Sequence, residues 1–253
     1  MLTVVGDGNL TINLNSGKYF GIGNSLDEYH GELNFYQDGG IIINANGMKG
    51  IGIGSGLGGV INIKRGHYEF DMKGQEGACI GSVNGDSELL IEYCDMDIYS
   101  GISNGTIIGS VNGDADIKLE NISAKLQGAG NIITGIGTIA GNSCMVRLEN
   151  VNISSNIRAK ECYGIGCRAG RTNIYIGYAA VKSVVQGKAA VAFGNSVMSA
   201  KLYCSNADIG TNAVTEFNSD IGALEKNIQL ENGRAEFILN GQEVKRQILA
   251  ARL

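Results

Sequence analysis

Four acidic residues recur at a fixed spacing and are the first candidates for chemistry. Asp86 and Glu88 are followed 28 residues later by Asp114 and Asp116, and each pair begins at the last residue of a repeated stretch, IGSVNGD. Calcium in proteins takes several oxygen ligands, many of them carboxylates. If the two copies lie side by side, the four carboxylates cluster, and calcium is the one cofactor that the sequence favours. The alternative is a solvated acidic corner, in which water and salt weaken the repulsion.

A second set of candidates combines basic and aromatic side chains. Lys118, Arg147, Tyr175 and Tyr203 are separated by 29, 28 and 28 residues. Tyrosine rings beside charged groups suit a sugar-binding groove, because a sugar offers an apolar ring face and many hydroxyl groups. The alternative is a ladder on the outer face of a sheet, where each cross-strand pair contributes only ~0.2–1 kcal/mol.

Both sets belong to a repeat that runs through most of the 253 residues. An apolar residue followed by glycine recurs eight times, at spacings of 31, 27, 28, 28, 29, 28 and 28 residues. The glycines of these pairs are Gly23, Gly54, Gly81, Gly109, Gly137, Gly166, Gly194 and Gly222. Each unit continues with a turn that contains glycine, a strand with alternating apolar residues, a polar corner and a third short strand. The polar corners of four units are predicted at Asp95, Asn121, Asn150 and Asn206.

This pattern predicts the fold. Alternation with period two argues against a helical solenoid, and the return of the same phase in every unit argues against a flat meander. We predict an all-β domain over residues 1–240, a single-stranded, right-handed parallel β-helix of about eight coils of ~28 residues, stacked ~4.8 Å apart. The tail, residues 241–253, is predicted as a short capping helix, with Asn240 as its N-cap and Val244, Ile248 and Leu249 covering the core. A partner-binding helix is the alternative.

Charge and composition limit the kinds of partner and the location that we expect. The net charge is −5 and no basic run occurs, so no nucleic-acid partner is expected. No apolar run approaches the length of a membrane span, and no secretory signal is visible at the first residues. The expected location is therefore cytoplasmic if Met1 is the natural start, and the cell surface if an upstream signal is missing. Association through the ends or faces of the solenoid is left open.

The cysteines and histidines give little support to a metal or a catalytic site. The six cysteines lack the CxxC spacing of zinc sites, and the chain has only two histidines, His30 and His67. Cys162 and Cys167 are close enough in sequence for a disulfide or metal pair, whereas buried free thiols are the simpler interpretation. The two histidines fall in different phases of the coil and are not expected to meet.

Five stretches carry a resemblance to a known group of proteins: GIGNS, GIGSGLGG, GTIIGSVNGD, GIGTIAGN and GIGCRAGR. With them the chain resembles the right-handed parallel β-helix proteins, and more narrowly the Gly-Ile-Gly-repeat solenoids of gut Firmicutes. The resemblance implies adhesin-like surface proteins that take a polysaccharide or cell-surface ligand. Similar repeats also follow DNA-binding domains, which this chain does not contain.

The sequence therefore favours a non-enzymatic binding or structural module, adhesin-like and directed at a glycan or a cell surface. One alternative is a polysaccharide lyase or glycoside hydrolase of the pectin-degrading β-helix type, in which Arg147 or Lys118 would act near the acidic corner. The signatures of those enzymes and the long loops that build their clefts do not appear. The other alternative is a ligand-sensing or scaffold module of a cytoplasmic regulator. Whether the chain is an enzyme is left open, with no catalytic residue predicted.

Overall fold

The computed structural model describes residues 1–216, 220–222 and 228–245, together with the backbone of 248–250. The described chain forms a parallel β-solenoid of about eight turns with ~28-residue spacing, as predicted. Its strands are β1 (Leu2–Gly6), β2 (Leu10–Gly23), β3 (Gly31–Gln37), β4 (Gly40–Ser55), β5 (Gly58–Ser82), β6 (Asp86–Ser110), β7 (Ala115–Glu120), β8 (Ser123–Thr138), β9 (Ser143–Glu149), β10 (Asn152–Cys167), β11 (Arg171–Gly177), β12 (Ala180–Gly187), β13 (Ala189–Gly194), β14 (Ala200–Ser205), β15 (Asp208–Thr215), β16 (Ile228–Glu231), β17 (Arg234–Leu239), β18 (Gln242–Glu243) and β19 (Ile248–Ala250).

Strands of successive coils pair in parallel, and the register follows the repeat. Leu89 lies opposite Ile117, which lies opposite Val146. The extra residue of one unit therefore does not shift the pairing register. The register matters because one step would move every inward side chain to the outer face. Residues 28 or 29 apart in the sequence are therefore neighbours on the surface.

The interior consists of stacked aliphatic columns. The apolar residue of each apolar-glycine pair is in register with the next from Ile22 to Phe193. The central members of this column, such as Ile80 and Ile108, have no exposed surface. Complete burial of such a side chain stabilises the fold by ~1.5–3 kcal/mol. Ile221, the last member predicted, is also buried.

The glycine of each pair is required by the backbone. Gly109 has a φ of 134°, which side-chain-bearing residues rarely adopt. A Cβ atom on it would lie 1.9 Å from the carbonyl oxygen of Gly137 in the next coil. The recurring glycine thus lets adjacent coils approach each other at this position.

The C-terminal helix predicted for residues 241–253 is wrong for the part that is described. Asn240 and Gly241 have φ values of 51° and 79°, which make a tight left-handed turn after β17. β18 then pairs antiparallel with β17, and β19 pairs parallel with β16. Asn240 caps the preceding coil instead of a helix, because its side-chain oxygen accepts a hydrogen bond from the amide of Thr215 at 2.8 Å. Paired strands satisfy the open backbone groups of the last coil, which a helix would leave unpaired. Residues 246–247 and 251–253 lie outside the described residues.

All six cysteines are free and buried, as the simpler interpretation predicted. Burial raises the pKa of Cys79 and Cys204 to about 12, and that of Cys162 to about 11. These thiols behave as small core side chains. The described part of the chain contains no helix that could span a membrane.

Candidate functional site

The predicted sugar-binding residues lie on the outward side of the ladder formed by β6, β7, β9, β11 and β14. The register sets Lys118 opposite Arg147, Arg147 opposite Tyr175, and Tyr175 opposite Tyr203. The two tyrosine rings stack, with centroids 5.0 Å apart and an interplanar angle of 7°. Tyr175 is 40% exposed. The predicted binding residues therefore stand in one column on the surface.

A pocket of about 380 Å³ adjoins Tyr175. The other residues that line it belong to the two preceding coils, among them Lys118, Arg147 and Glu149. Tyr203, which stacks on Tyr175, is not among the lining residues. The exposed side chain of Tyr175 thus borders a pocket that charged side chains surround.

The charges around this pocket are locally compensated. Lys118 is 2.6 Å from a carboxylate oxygen of Glu120, and this hydrogen bond raises the pKa of Lys118. Arg147 donates a hydrogen bond to Asp116 at 2.5 Å. Such exposed pairs contribute only ~0–1 kcal/mol to stability, but they leave few cations free for an anionic ligand. The pocket suits a neutral polar ligand better than a charged one.

The acidic corner has the stacking that the sequence predicts. Glu88 lies opposite Asp116. Asp86 accepts a hydrogen bond from the amide of Asp114 at 2.8 Å, and Asp114 accepts one from the amide of Asn142 at 2.7 Å. These carboxylates therefore cap the backbone of the following coil.

This geometry leaves calcium binding an untested prediction. Asp116 is already paired with Arg147. In the part of the chain that the structure describes, no three His, Cys, Asp or Glu side chains are grouped so that they could hold a metal ion. Carboxylates that accept backbone amides have fewer oxygen lone pairs left for a cation.

Another column lies at the corner between the second and third strands of each coil, and the sequence interpretation missed its aromatic members. Tyr93, Asn121, Asn150, Tyr178, Asn206 and Asn232 follow one another along it, and all have φ values between 47° and 54°. Tyr93 and Tyr178 are 62% and 65% exposed. Asp95, predicted as the corner residue of its coil, instead lies opposite Ser123, two positions further on. The signal that could have found this column was the exact alignment of Tyr93 and Tyr178 with asparagines at the repeat spacing.

His30 and His67 lie apart, as predicted. The His30 ring is buried, and its Nδ1 atom is 2.9 Å from the hydroxyl of Ser55. Its Nε2 atom is buried without a hydrogen-bond partner. Burial lowers the pKa of His30 to about 4. His67 lies in register with Gly40 and Asp95 at the corner, so the two histidines do not form a catalytic pair.

Comparisons with known proteins add no family to this description. No family model, no curated protein and no solved structure matches the chain. The fold and the surfaces described above are therefore the basis for any functional conclusion.

Proposed function

We propose that this chain is a non-enzymatic binding module for glycans, in the manner of an adhesin. The observation that carries the proposal is the stacked pair of the exposed Tyr175 and the half-buried Tyr203, with a pocket of about 380 Å³ beside Tyr175. An aromatic ring offers a flat apolar surface for the C–H face of a sugar, and nearby polar groups hold its hydroxyls. The Gly-Ile-Gly repeats, which resemble those of adhesin-like solenoids, favour the same class of ligand.

The polar groups of the pocket suit hydroxyl recognition. Glu149 supplies acceptors, while Lys118 and Arg147 supply donors that their own ion pairs already orient. Bidentate or shared hydrogen bonds of charged groups are stronger than those of neutral groups. A sugar in this pocket would meet one ring face and three polar side chains.

The test is a calorimetric titration of the purified chain with neutral oligosaccharides, comparing the wild type with two variants. Tyr175→Ala removes the ring beside the pocket and is expected to weaken binding about tenfold, since stacking of an aromatic ring contributes ~0.5–1.5 kcal/mol beyond burial. Tyr36→Ala is the matched control, because Tyr36 is 38% exposed, close to the 40% of Tyr175, and lies away from the pocket. Equal affinities for the two variants would contradict the proposed site.

A further inference from the structure

The corner column is built for asparagine. Its members adopt a left-handed backbone, which asparagine tolerates better than most residues. Asn150 donates a hydrogen bond from its side-chain nitrogen to the side-chain oxygen of Asn121 at 2.6 Å. In these two coils the asparagines therefore fit the left-handed backbone, and a side-chain hydrogen bond joins them.

Tyr93 and Tyr178 occupy the same column without either advantage. Their φ values are 54° and 47°, and a bulky residue in this conformation is strained by ~1–3 kcal/mol. Packing does not offset the strain, because the side chains are 62% and 65% exposed. Strained backbone conformations that packing does not stabilise cluster at functional sites.

A groove runs along this column. It has a volume of about 770 Å³, and its lining extends from Asp95 to Asn232, past Asn121, Asn150 and Tyr178. The buried side chains of Ile122, Val151 and Ala179 also line it. Tyr93 stands in the column one coil before Asn121. Asparagine side chains, the ring of Tyr178 and apolar contacts thus line an extended groove, and the exposed Tyr93 lies in the same column beyond the lining residues.

The dimensions and chemistry of the groove select one class of ligand. Coils are stacked ~4.8 Å apart, close to the length of one sugar in an extended glycan, so each sugar would meet one coil. An extended peptide binds best to free backbone groups at a sheet edge. Here the backbone amides at the corner already donate hydrogen bonds to the next coil. The amide of Asn150 donates to the carbonyl of Gly177 at 2.9 Å, and that of Tyr178 to Ser205 at 3.0 Å.

Charge further restricts the ligand. Asp95 and Asp208 line the groove, and the lining residues include no lysine or arginine. Arg234 lies next to Asp208, with the charged atoms 3.9 Å apart, and is itself outside the lining. An acidic polysaccharide would therefore be repelled, whereas neutral hydroxyl groups find amide donors and acceptors.

We propose that this corner groove is a second binding surface, which holds a neutral, linear glycan along the solenoid axis with Tyr93 and Tyr178 stacked on sugars three coils apart. The inference rests on the proposed function for the class of ligand, but it uses a different face and different residues. The two tyrosines are ~14 Å apart along the axis, three coil steps. A glycan shorter than this would reach only one of them.

The experiment converts each tyrosine to the residue of the neighbouring coils. The double variant Tyr93→Asn/Tyr178→Asn and the comparison variant Tyr175→Ala/Tyr203→Ala are titrated with cellohexaose, xylohexaose, mannohexaose and hexagalacturonate, using the full chain. We expect the Asn variant to bind its preferred neutral hexasaccharide at least tenfold more weakly than the wild type. Its thermal midpoint should be unchanged or higher, because asparagine relieves the strain.

The outcomes separate this inference from the proposed function. If the wild type binds but the Asn variant keeps its affinity within twofold, the corner groove is refuted, and loss of binding in the Tyr175→Ala/Tyr203→Ala variant would leave the proposed function standing. A lower thermal midpoint of the Asn variant would mean that the tyrosines are structural. Tighter binding of hexagalacturonate would overturn the neutral class. If no glycan binds the wild type, both proposals fail.

Discussion

Replacement of a single glycine tests the stacking of the coils. Gly109→Ala adds a Cβ atom 1.9 Å from the carbonyl oxygen of Gly137 and 2.9 Å from its carbon, at a φ of 134°. The backbone conformation alone costs alanine ~1–3 kcal/mol. Relief of the clash requires the two coils to separate locally, which costs a further ~1–3 kcal/mol as in other overpacked cores. We therefore expect the free energy of unfolding to fall by about 4 kcal/mol, a large part of the ~5–15 kcal/mol typical of a domain.

The matched control is Gly101→Ala in the same strand, β6. There the atom nearest to the added Cβ is Cγ of Lys73, at 3.2 Å, and this exposed side chain can move. Its effect should stay within about 1 kcal/mol. Urea unfolding followed by far-ultraviolet circular dichroism and tyrosine fluorescence measures both, since the chain has no tryptophan. Equal unfolding midpoints for the two variants would refute the close approach of the coils at Gly109.

Three further predictions concern pH, thiols and ion pairs. Burial lowers the pKa of His30 to about 4, so between about pH 6.5 and pH 4 the unfolded chain binds a proton that the folded chain does not. Stability should therefore be full above about pH 6.5 and fall by roughly 3 kcal/mol toward pH 4. Denaturant titrations at several pH values check this, and His30→Gln should flatten the profile. Burial raises the pKa of Cys144 well above its usual range, so a thiol reagent should label it only after urea unfolds the chain; rapid labelling of the native protein would contradict this. Arg147→Ala should change stability by less than about 1 kcal/mol, since its pair with Asp116 is exposed, and a larger loss in urea unfolding would count against that assignment.

The fold was predictable because it depends on spacing and alternation, both of which are visible in the sequence. An apolar residue and a glycine every 28 or so residues reflect a real constraint, the close approach seen at Gly109. The neighbour relations of Asp86 with Asp114 and of Tyr175 with Tyr203 followed from the same spacing. Local periodicity sets these contacts without help from distant parts of the chain.

The misses have physical causes. The tail after Asn240 has helical periodicity, but the open edge of the last coil pairs with strands, and tertiary hydrogen bonding outweighs local propensity. The repeat predicts a corner at Asp95, because a polar residue is expected at this point of each unit. The column is instead defined by a left-handed backbone, which a sequence indicates when asparagine or glycine occupies the position. Tyrosine rarely adopts this conformation, so Tyr93 and Tyr178 give no sign of it in the sequence.

One titration of the wild-type chain distinguishes glycan binding without turnover from catalysis. Neutral hexasaccharides are added in a calorimeter, and the same samples are assayed afterwards for new reducing or unsaturated ends. We expect saturable binding with no release of ends. Release of ends would make the chain an enzyme, and the absence of binding to every glycan would remove the basis of the proposed function.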